Sequence, residues 1–237
     1  MELELVAYTR FNAAAFRKRY GWTPDPKDLD PDALSEAAGR ISYGSWSRPN
    51  PATAKNATYL ANIQAQGHES IFEHSSATFL VTGASRDMLL QLERHRHTSY
   101  SVRSQRYVDD SEGAIAQDTG LVESDIFLKV EDLAKHSYLA LVKYYQEGLG
   151  WSRKRARERA RLVLPGGWST EFLVTANLRA WRYVINLRGS EHADAQIREF
   201  AVAVAALLNE YAPNVMQDLE FYTHEDARCV RIKKESK

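Results

Sequence analysis

Two stretches of the chain alternate between apolar and polar residues, which is the pattern of a half-buried strand. Residues 1–10, MELELVAYTR, show it at the start of the chain, and residues 76–84, SATFLVTGA, show it again. Because strands with one polar face can pair directly with their neighbours, these stretches predict a small, mainly antiparallel sheet.

Most of the remaining pattern has the 3.6-residue period of amphipathic helices. Asp30 and Pro31 suit the N-cap and first position of a helix, and Gly67 suits the end of another. Helices are predicted over residues 31–41, 52–66, 85–97, 124–148, 152–164, 170–188 and 192–210, with a loop over 108–124. The sequence therefore predicts an α+β fold, as a single helix-rich domain over residues 1–237.

Composition narrows the class of protein. The chain has 237 residues, is 44% hydrophobic and carries no formal net charge. It therefore has no global field that would draw it to nucleic acid or anionic lipid. We see no signal peptide and no apolar run of membrane-spanning length, so we expect a soluble cytoplasmic protein.

Cys229 is the one cysteine of the chain. A single cysteine cannot form a disulfide within the chain, and it cannot build a cysteine-based zinc site. Its neighbours are basic, but it lies beside a tail that we expect to be disordered. We therefore do not assign Cys229 as a nucleophile.

The chemistry concentrates in residues 93–110, ERHRHTSYSVRSQRYVDD. On a helix, Gln91, Arg94 and His95 share a face, and a hydroxyl-rich loop would follow with Ser104 and Arg106. Arginines on a helix and on the following loop can hold a phosphate from two directions. The alternatives are a solvated basic face and an RNA-binding module that uses the cluster from Arg94 to Arg106.

The segment HESIFEH, residues 68–74, has histidines six positions apart. A zinc-protease helix needs them four apart on one face, so the spacing disfavours a metal-dependent hydrolase. The remaining interpretations are a polar entry to a strand, or a turn that offers Ser70 and Glu73 to a polar ligand.

Two further segments carry arginines beside apolar residues. Arg161 lies against LVLP, where a cation usually has an assigned partner. Asn177 and Arg188 would share one stripe of the predicted helix 170–188, which is costly unless both are paired or lie at its rim. His192, just beyond, suits either a core histidine or a ligand contact.

The spacing of Arg94, His95, Arg96 and Ser104 resembles the signature motif of the flavin-dependent thymidylate synthases, the thymidylate synthase-complementing family. GHESIFEH before the motif, and ARLVLP and TANLRAWRYVINLRGSEHADAQIREFA after it, resemble other blocks of that family in the same order. Together the blocks span roughly residues 40–220. Val102 is a departure, since many members have an acidic residue two positions before the motif serine.

The resemblance implies an enzyme that methylates dUMP reductively to dTMP. N5,N10-methylene-tetrahydrofolate would supply the carbon, and FAD, reduced by NADPH, would supply the hydride. It also implies a homotetramer with active sites at subunit interfaces, no enzyme cysteine as nucleophile, and no metal, nucleic acid or membrane partner. A flavoprotein of this fold that has lost methyl transfer is a further alternative.

The resemblance also assigns site residues. The residues that match dUMP-binding positions are Gln91, Arg94, Ser104, Arg106, Arg161 and Arg188. Those that match positions at the FAD are Ser70, Glu73, Arg94, His95, Arg96, Asn177, Arg179 and His192, with Ser42 as a weaker match. Arg188 is the candidate catalytic residue, because a permanent cation can stabilise negative charge on the uracil as C5 attacks the methylene.

Overall fold

The computed structural model describes residues 1–46, 50–116 and 125–233. Within these ranges the strands are β1 (Glu2–Tyr8), β2 (Ser76–Ser85), β3 (Thr98–Val102), β4 (Ser169–Asn177), β5 (Leu219–His224) and β6 (Ala227–Ile232). The helices are α1 (Ala14–Tyr20), α2 (Asp30–Tyr43), α3 (Asn56–Ala65), α4 (Arg86–Leu92), α5 (Asp125–Lys143), α6 (Arg153–Ala160), α7 (Leu178–Arg188) and α8 (Ala195–Tyr211). The predicted α+β class is confirmed.

Four strands form one sheet in the order β1-β2-β4-β3. Thr9, just after β1, donates its N–H to the carbonyl of Ser76 at the start of β2, so these two strands run antiparallel. Strands β2 and β4 are antiparallel as well. Arg86 N–H, just after the end of β2, donates to Trp168 C=O, just before the start of β4, and Leu178 N–H, just after the end of β4, donates to Ser75 C=O, just before the start of β2.

A separate hairpin pairs β5 with β6 antiparallel, from Leu219 opposite Ile232 to His224 opposite Ala227. The sequence did not predict this hairpin, and Cys229 was expected beside a disordered tail. That placement is wrong: Cys229 lies within β6, fully buried. The alternation of FYTH and ARCVRI is too short and too charged to stand out as a strand pattern.

The contacts of the backbone divide the chain into two compact units. Unit 1 comprises Met1–Glu4, Leu80–Arg94 and Tyr100–Val174, and unit 2 comprises Leu5–Phe79, His95–Ser99 and Thr175–Lys237. Each unit is assembled from separate pieces of the chain. The single domain over residues 1–237 stays a prediction.

Each unit has its own apolar core. In unit 2, Trp181 of α7 packs edge-on against Phe79 with ring centroids 5.1 Å apart, and its indole N–H donates to Ala77 C=O at 3.1 Å. In unit 1, the fully buried Trp168, Leu92 and Met88 form part of the core. Among the described residues, no helix is long and apolar enough to cross a membrane.

The predicted helix over 170–188 is wrong in its first half. Residues up to Asn177 belong to β4, and the helix begins at Leu178. Alternate residues of this strand, Thr170, Phe172, Val174 and Ala176, are buried. That two-residue period is the strand signal, and the helical period of the following residues hid it.

The predicted helix over 85–97 is also too long. It ends at Leu92, and the hydroxyl-rich segment after it contains strand β3 where a loop was expected. Gln91, Arg94 and His95 therefore do not share a helical face: Arg94 is exposed and His95 is buried. The described part of the predicted loop, residues 108–116, has no regular element, and residues 117–124 lie outside the described residues.

Other boundaries differ less. The N-cap of α2 is Leu29, so Asp30 is already helical, and the short helix α1 was not predicted. The segment Glu69–His74 forms a 3-10 helix that leads into β2. The helices expected over 31–41, 52–66, 124–148, 152–164 and 192–210 are found with shifted ends.

Candidate active site

The end of strand β3 leads into a turn of unit 1 that carries two predicted substrate residues. Ser104 Oγ accepts a hydrogen bond from the backbone N–H of Arg106 at 3.3 Å, which closes the turn. The Arg106 side chain reaches α6, where its Nε lies 3.0 Å from a Glu158 carboxylate oxygen. Ser104 and Arg106 therefore lie in one local turn, and their contact with a substrate stays a prediction.

Arg157 of α6 is the buried arginine of its helix. It donates to Tyr107 C=O at 2.8 Å and pairs with the Asp109 carboxylate. Only 10% of its side chain is exposed. Arg161, for which a partner was expected, is half-buried, and its side chain has neither hydrogen bond nor ion pair with the described residues. A partner for Arg161 outside these residues stays a prediction.

Unit 1 also holds two arginines, Arg86 and Arg103, that were not predicted as site residues. Arg86, the first residue of α4, donates to Arg103 C=O at 3.1 Å, while its buried Nε has no hydrogen-bond partner among the described residues. Burial lowers the pKa of the Arg86 guanidinium; Asp110 opposes this effect, and the charges of Arg161 and Arg103 add to it. This part of unit 1 therefore has positive charge and unused donors, which suits a bound anion.

Carboxylates are interspersed among these arginines. Arg103 lies 3.8 Å from Asp110 and 3.6 Å from Glu171. Asp109 pairs with Arg157, and Glu158 pairs with Arg106. The basic cluster is thus divided by acidic side chains. It suits a compact anion better than a long polyanion, which needs a continuous basic surface.

The other substrate candidates of unit 1 lie on or just after α4. Gln91 is half-buried on the helix, while Arg94 follows it with an exposed side chain. Within the described residues the Arg94 guanidinium forms no hydrogen bond or ion pair. It is available to a ligand without the loss of an internal contact.

In unit 2, the 3-10 helix Glu69–His74 is tied to α7. Arg182, with 1% of its side chain exposed, bonds to both oxygens of Asp218 at 2.6 and 2.7 Å. It also donates to Glu69 at 2.8 Å and to Val215 C=O at 2.8 Å. A buried cation with two carboxylates and a carbonyl fixes the position of the segment that carries Ser70 and Glu73.

The flavin candidates on this segment are exposed. Glu73 pairs at the surface with Arg179 from the first turn of α7, and the Ser70 side chain is exposed on the same 3-10 helix. Asn177 caps α7, because its side-chain oxygen accepts the N–H of Ala180 at 2.8 Å. Asn177 therefore lies at the beginning of the helix and Arg188 at its end.

Arg188 and His95 are in direct contact in unit 2. Arg188 Nε donates to His95 Nε2 at 3.1 Å, and the His95 ring meets Tyr183 edge-on with centroids 5.8 Å apart. Burial, and then the positive charge of Arg188, hold the pKa of the His95 imidazole below its ordinary value. The structure thus joins a predicted substrate residue to a predicted flavin residue.

The end of α7 is packed tightly against the terminal hairpin. Val230 N–H donates to Gly189 C=O at 2.9 Å, and a Cβ on Gly189 would lie 2.5 Å from the Val230 carbonyl oxygen. Only glycine has room at this position. The hairpin, which was not predicted from the sequence, therefore fixes the backbone next to Arg188.

The remaining candidates lie apart from these contacts. The His192 side chain is 87% exposed, 3.8 Å from Glu191, and Arg96 is exposed with no internal hydrogen bond or ion pair among the described residues. Ser42 donates to Ala38 C=O within α2 at 3.1 Å. The described residues contain no group of three or more His, Cys, Asp or Glu side chains that could hold a metal ion.

The fold and these sites define a class: an α+β protein with exposed or half-buried arginines at the predicted substrate and flavin positions. The sequence profile described as thymidylate synthase complementing protein matches residues 27–214. This chain belongs to that family, and the resemblance found in the sequence is confirmed. The matched range contains every candidate site residue, from Ser42 to His192.

Curated relatives match nearly the whole chain. A probable flavin-dependent thymidylate synthase of Mycobacterium phage D29 is 43% identical over 228 residues, covering 92% of this chain and 96% of the relative. The flavin-dependent thymidylate synthase of Mycobacteroides abscessus is 40% identical over 244 residues, covering 98% and 95%. That of Mycolicibacterium gilvum is 40% identical over 230 residues, covering 93% and 90%.

Proposed function

We propose that this chain is a flavin-dependent thymidylate synthase, a methyltransferase that converts dUMP to dTMP. N5,N10-methylene-tetrahydrofolate is the proposed carbon donor and NADPH the proposed reductant. The observation that carries the proposal is the similarity of about 40% identity over almost the full length to enzymes of that name. The cytoplasmic location stays a prediction.

The proposed dUMP residues are Gln91, Arg94, Ser104, Arg106, Arg161 and Arg188. The excess of donors around Arg86 and Arg161 supports a phosphate-binding role for this part of unit 1. Guanidinium groups that lack an internal partner can bind both oxygens of a phosphate without breaking an existing ion pair.

Arg188 is the proposed catalytic residue. Its guanidinium stays protonated and can stabilise the negative charge that develops at the uracil N3–O4 edge while C5 attacks the methylene group. The hydrogen bond from its Nε to His95 supports this role, since it fixes the plane of the guanidinium. A charge-stabilising donor must be oriented before the reaction begins, because reorganisation during the reaction raises the barrier.

The residues present suit a flavin dinucleotide. Arg96 and Arg179 are exposed cations that can bind a diphosphate, and Ser70, Glu73, Asn177 and His192 offer neutral or acidic partners for its sugars and ring. His95 and Arg94 complete the proposed set. When bound and reduced, FAD would supply the hydride that turns the methylene group into a methyl group.

The position of Cys229 supports a mechanism without an enzyme cysteine. Cysteine-dependent thymidylate synthases activate uracil by thiolate attack, which requires an accessible thiol. Cys229 is fully buried in β6, and its Sγ lies 3.6 Å from Ala227 C=O. Activation of C5 therefore falls to charge stabilisation by Arg188 in this proposal.

We also propose a homotetramer with active sites at subunit interfaces. Helix α5 supports it, because Ile126, Val130 and Leu133 form an exposed apolar stripe at positions i, i+4 and i+7. Ile126 is 71% exposed and Leu133 68%. A second copy of the chain that covers this stripe would remove it from water.

Visible absorption spectra of the purified protein test the cofactor assignment. We expect flavin absorption, present on purification or after incubation with FAD, and a change in that absorption when dUMP is added. The change is expected because both ligands must lie together for the chemistry. Absence of flavin under both conditions would refute the assignment as a flavin-dependent enzyme. The arginine cluster would then be better explained by the RNA-binding alternative, which salt-sensitive binding of oligonucleotides would support.

A further inference from the structure

The contact between His95 and Arg188 has a consequence for the reaction. We propose that His95 is a positioning residue that orients Arg188, and that it does so only as a neutral imidazole whose Nε2 accepts a hydrogen bond. The proposal rests on the proposed function, since Arg188 is the catalytic group that it serves. It gives His95 a role in addition to the flavin contact assigned by resemblance.

The geometry fixes the tautomer of His95. An arginine side chain has only donors, so the atom that receives the hydrogen of Arg188 Nε must have a lone pair. The Arg188 Nε to His95 Nε2 distance is 3.1 Å. His95 Nε2 therefore carries no hydrogen, and the imidazole proton lies on Nδ1.

The surroundings of His95 favour this neutral form. The residue is 7% exposed, and burial makes the charged form costly. From α7, Arg188 presents a positive charge and Tyr183 presents its ring, while the Thr98 hydroxyl donates to the His95 backbone carbonyl. Among the described residues, Arg188 is the charged group that acts on the His95 pKa, and it lowers it after burial.

Protonation of His95 would break the contact. An imidazolium has a hydrogen on Nε2, which would face the hydrogen on Arg188 Nε and add a second positive charge at the same place. Arg188 would then leave the orientation in which it stabilises the uracil. Turnover should fall as the pH drops through the pKa of His95, with loss of kcat rather than only of dUMP affinity.

Nuclear magnetic resonance of the ligand-free protein tests the contact independently of turnover. With nitrogen-15-labelled histidine, and His95→Gln to assign the signal, we expect His95 at neutral pH to be protonated at Nδ1 and unprotonated at Nε2. We expect its pKa to lie below the ordinary value of about 6.5 and to rise in Arg188→Gln, where the facing cation is gone. A proton on Nε2, or a pKa unchanged in Arg188→Gln, would overturn the proposal.

Three variants test the positioning role. His95→Leu removes the acceptor and should lower kcat about 100-fold, as misplacement of a catalytic group does. His95→Gln can place its carbonyl oxygen near the Nε2 position, so kcat should stay within about tenfold of the wild type. Because glutamine does not titrate, the loss of kcat at acid pH should disappear in His95→Gln. His97→Gln, at an exposed histidine two residues away, is the matched control and should keep the wild-type pH profile.

The outcomes separate this proposal from the proposed function. If the wild type forms no dTMP, the proposed function fails, while the tautomer and the pKa in Arg188→Gln still decide whether His95 orients Arg188. If the wild type is active but His95→Gln keeps its acid limb, His95 is not the titrating partner. If His95→Leu loses only flavin, with unchanged kcat per bound flavin, its role is cofactor binding and the positioning role is refuted.

Discussion

Arginines that look alike in the sequence have different partners in the structure. Arg157 is buried against Asp109, Arg106 pairs with Glu158 at the surface, and Arg188 donates to a neutral histidine. An Arg–carboxylate pair offsets the charge of the arginine, whereas a hydrogen bond to an imidazole orients the guanidinium without adding a negative charge. The contact between Arg188 and His95 therefore supports the proposed role of Arg188 as the cation that acts on the substrate.

Replacement of Arg188 tests that role directly. Arg188→Ala should lower kcat for dTMP formation by about 10²–10³-fold, the effect of one lost charge-stabilising donor, and should retain flavin. Steady-state kinetics with bound flavin measured in parallel would show it. Arg153→Ala, at an exposed position of α6, is the control. Normal turnover by Arg188→Ala would mean that another group activates the uracil.

Asp32, which is not one of the candidate site residues, makes the free energy of unfolding depend on pH. Its two oxygens accept N–H bonds from Asn214 at 3.2 Å and Val215 at 3.0 Å, yet burial raises its pKa from 3.8 to about 7. Between these values the folded state keeps a proton that the unfolded state releases, so the contribution of Asp32 to stability falls as the pH rises.

Asp32→Asn removes this titration. Relative to the wild type, the variant should lose the most free energy of unfolding at low pH and progressively less as the pH rises to about 7. Urea denaturation of both proteins across this range measures the difference. A difference that stays constant, or that grows with pH, would show that Asp32 is ionised in the folded protein throughout.

At the scale of elements, the sequence predicted most helices and the first two strands because their periods are uniform over their length. It failed where one element follows another without a break. Residues 169–177 form a strand that continues directly into α7, so a single helix was predicted over both.

The candidate site was predictable as residue types but not as contacts. The arginines and His95 could be found from their motif, and the resemblance placed them in a family. The contact of Arg188 with His95 and the ion pair of Arg106 with Glu158 join residues far apart in the chain. Such contacts depend on how elements pack, which a local pattern does not contain.

The buried Arg182 network should hold the 3-10 helix Glu69–His74 to α7. Arg182→Met would leave Asp218 and Glu69 without their cation, so the free energy of unfolding should fall by about 3 kcal/mol. Arg179→Met, three residues earlier on the same helix, breaks an exposed pair with Glu73 and should cost at most about 1 kcal/mol. Chemical denaturation compares the two, and equal losses would contradict the assignment of Arg182 as the structural tie.

For the whole molecule, the exposed stripe of α5 is the feature that a subunit contact would explain. Leu133→Glu places a charge on the stripe, at its C-terminal end, and should shift the protein from tetramer to smaller species, because a buried unpaired carboxylate is costly. Light scattering after size exclusion measures the mass. Leu162→Glu is the control, because it places the same charge at another exposed apolar residue, in the 3-10 helix after α6. A tetramer that survives Leu133→Glu unchanged would place the interface elsewhere.

The most direct test of the proposed function is the product itself. The purified protein with FAD would be incubated with dUMP, N5,N10-methylene-tetrahydrofolate and NADPH, and dTMP would be measured by chromatography, with each component omitted in turn. We expect dTMP in the complete mixture and none when dUMP, the folate or the reductant is left out. Flavin bound and reduced without any dTMP would contradict the account and identify a flavoprotein that does not transfer the methyl group.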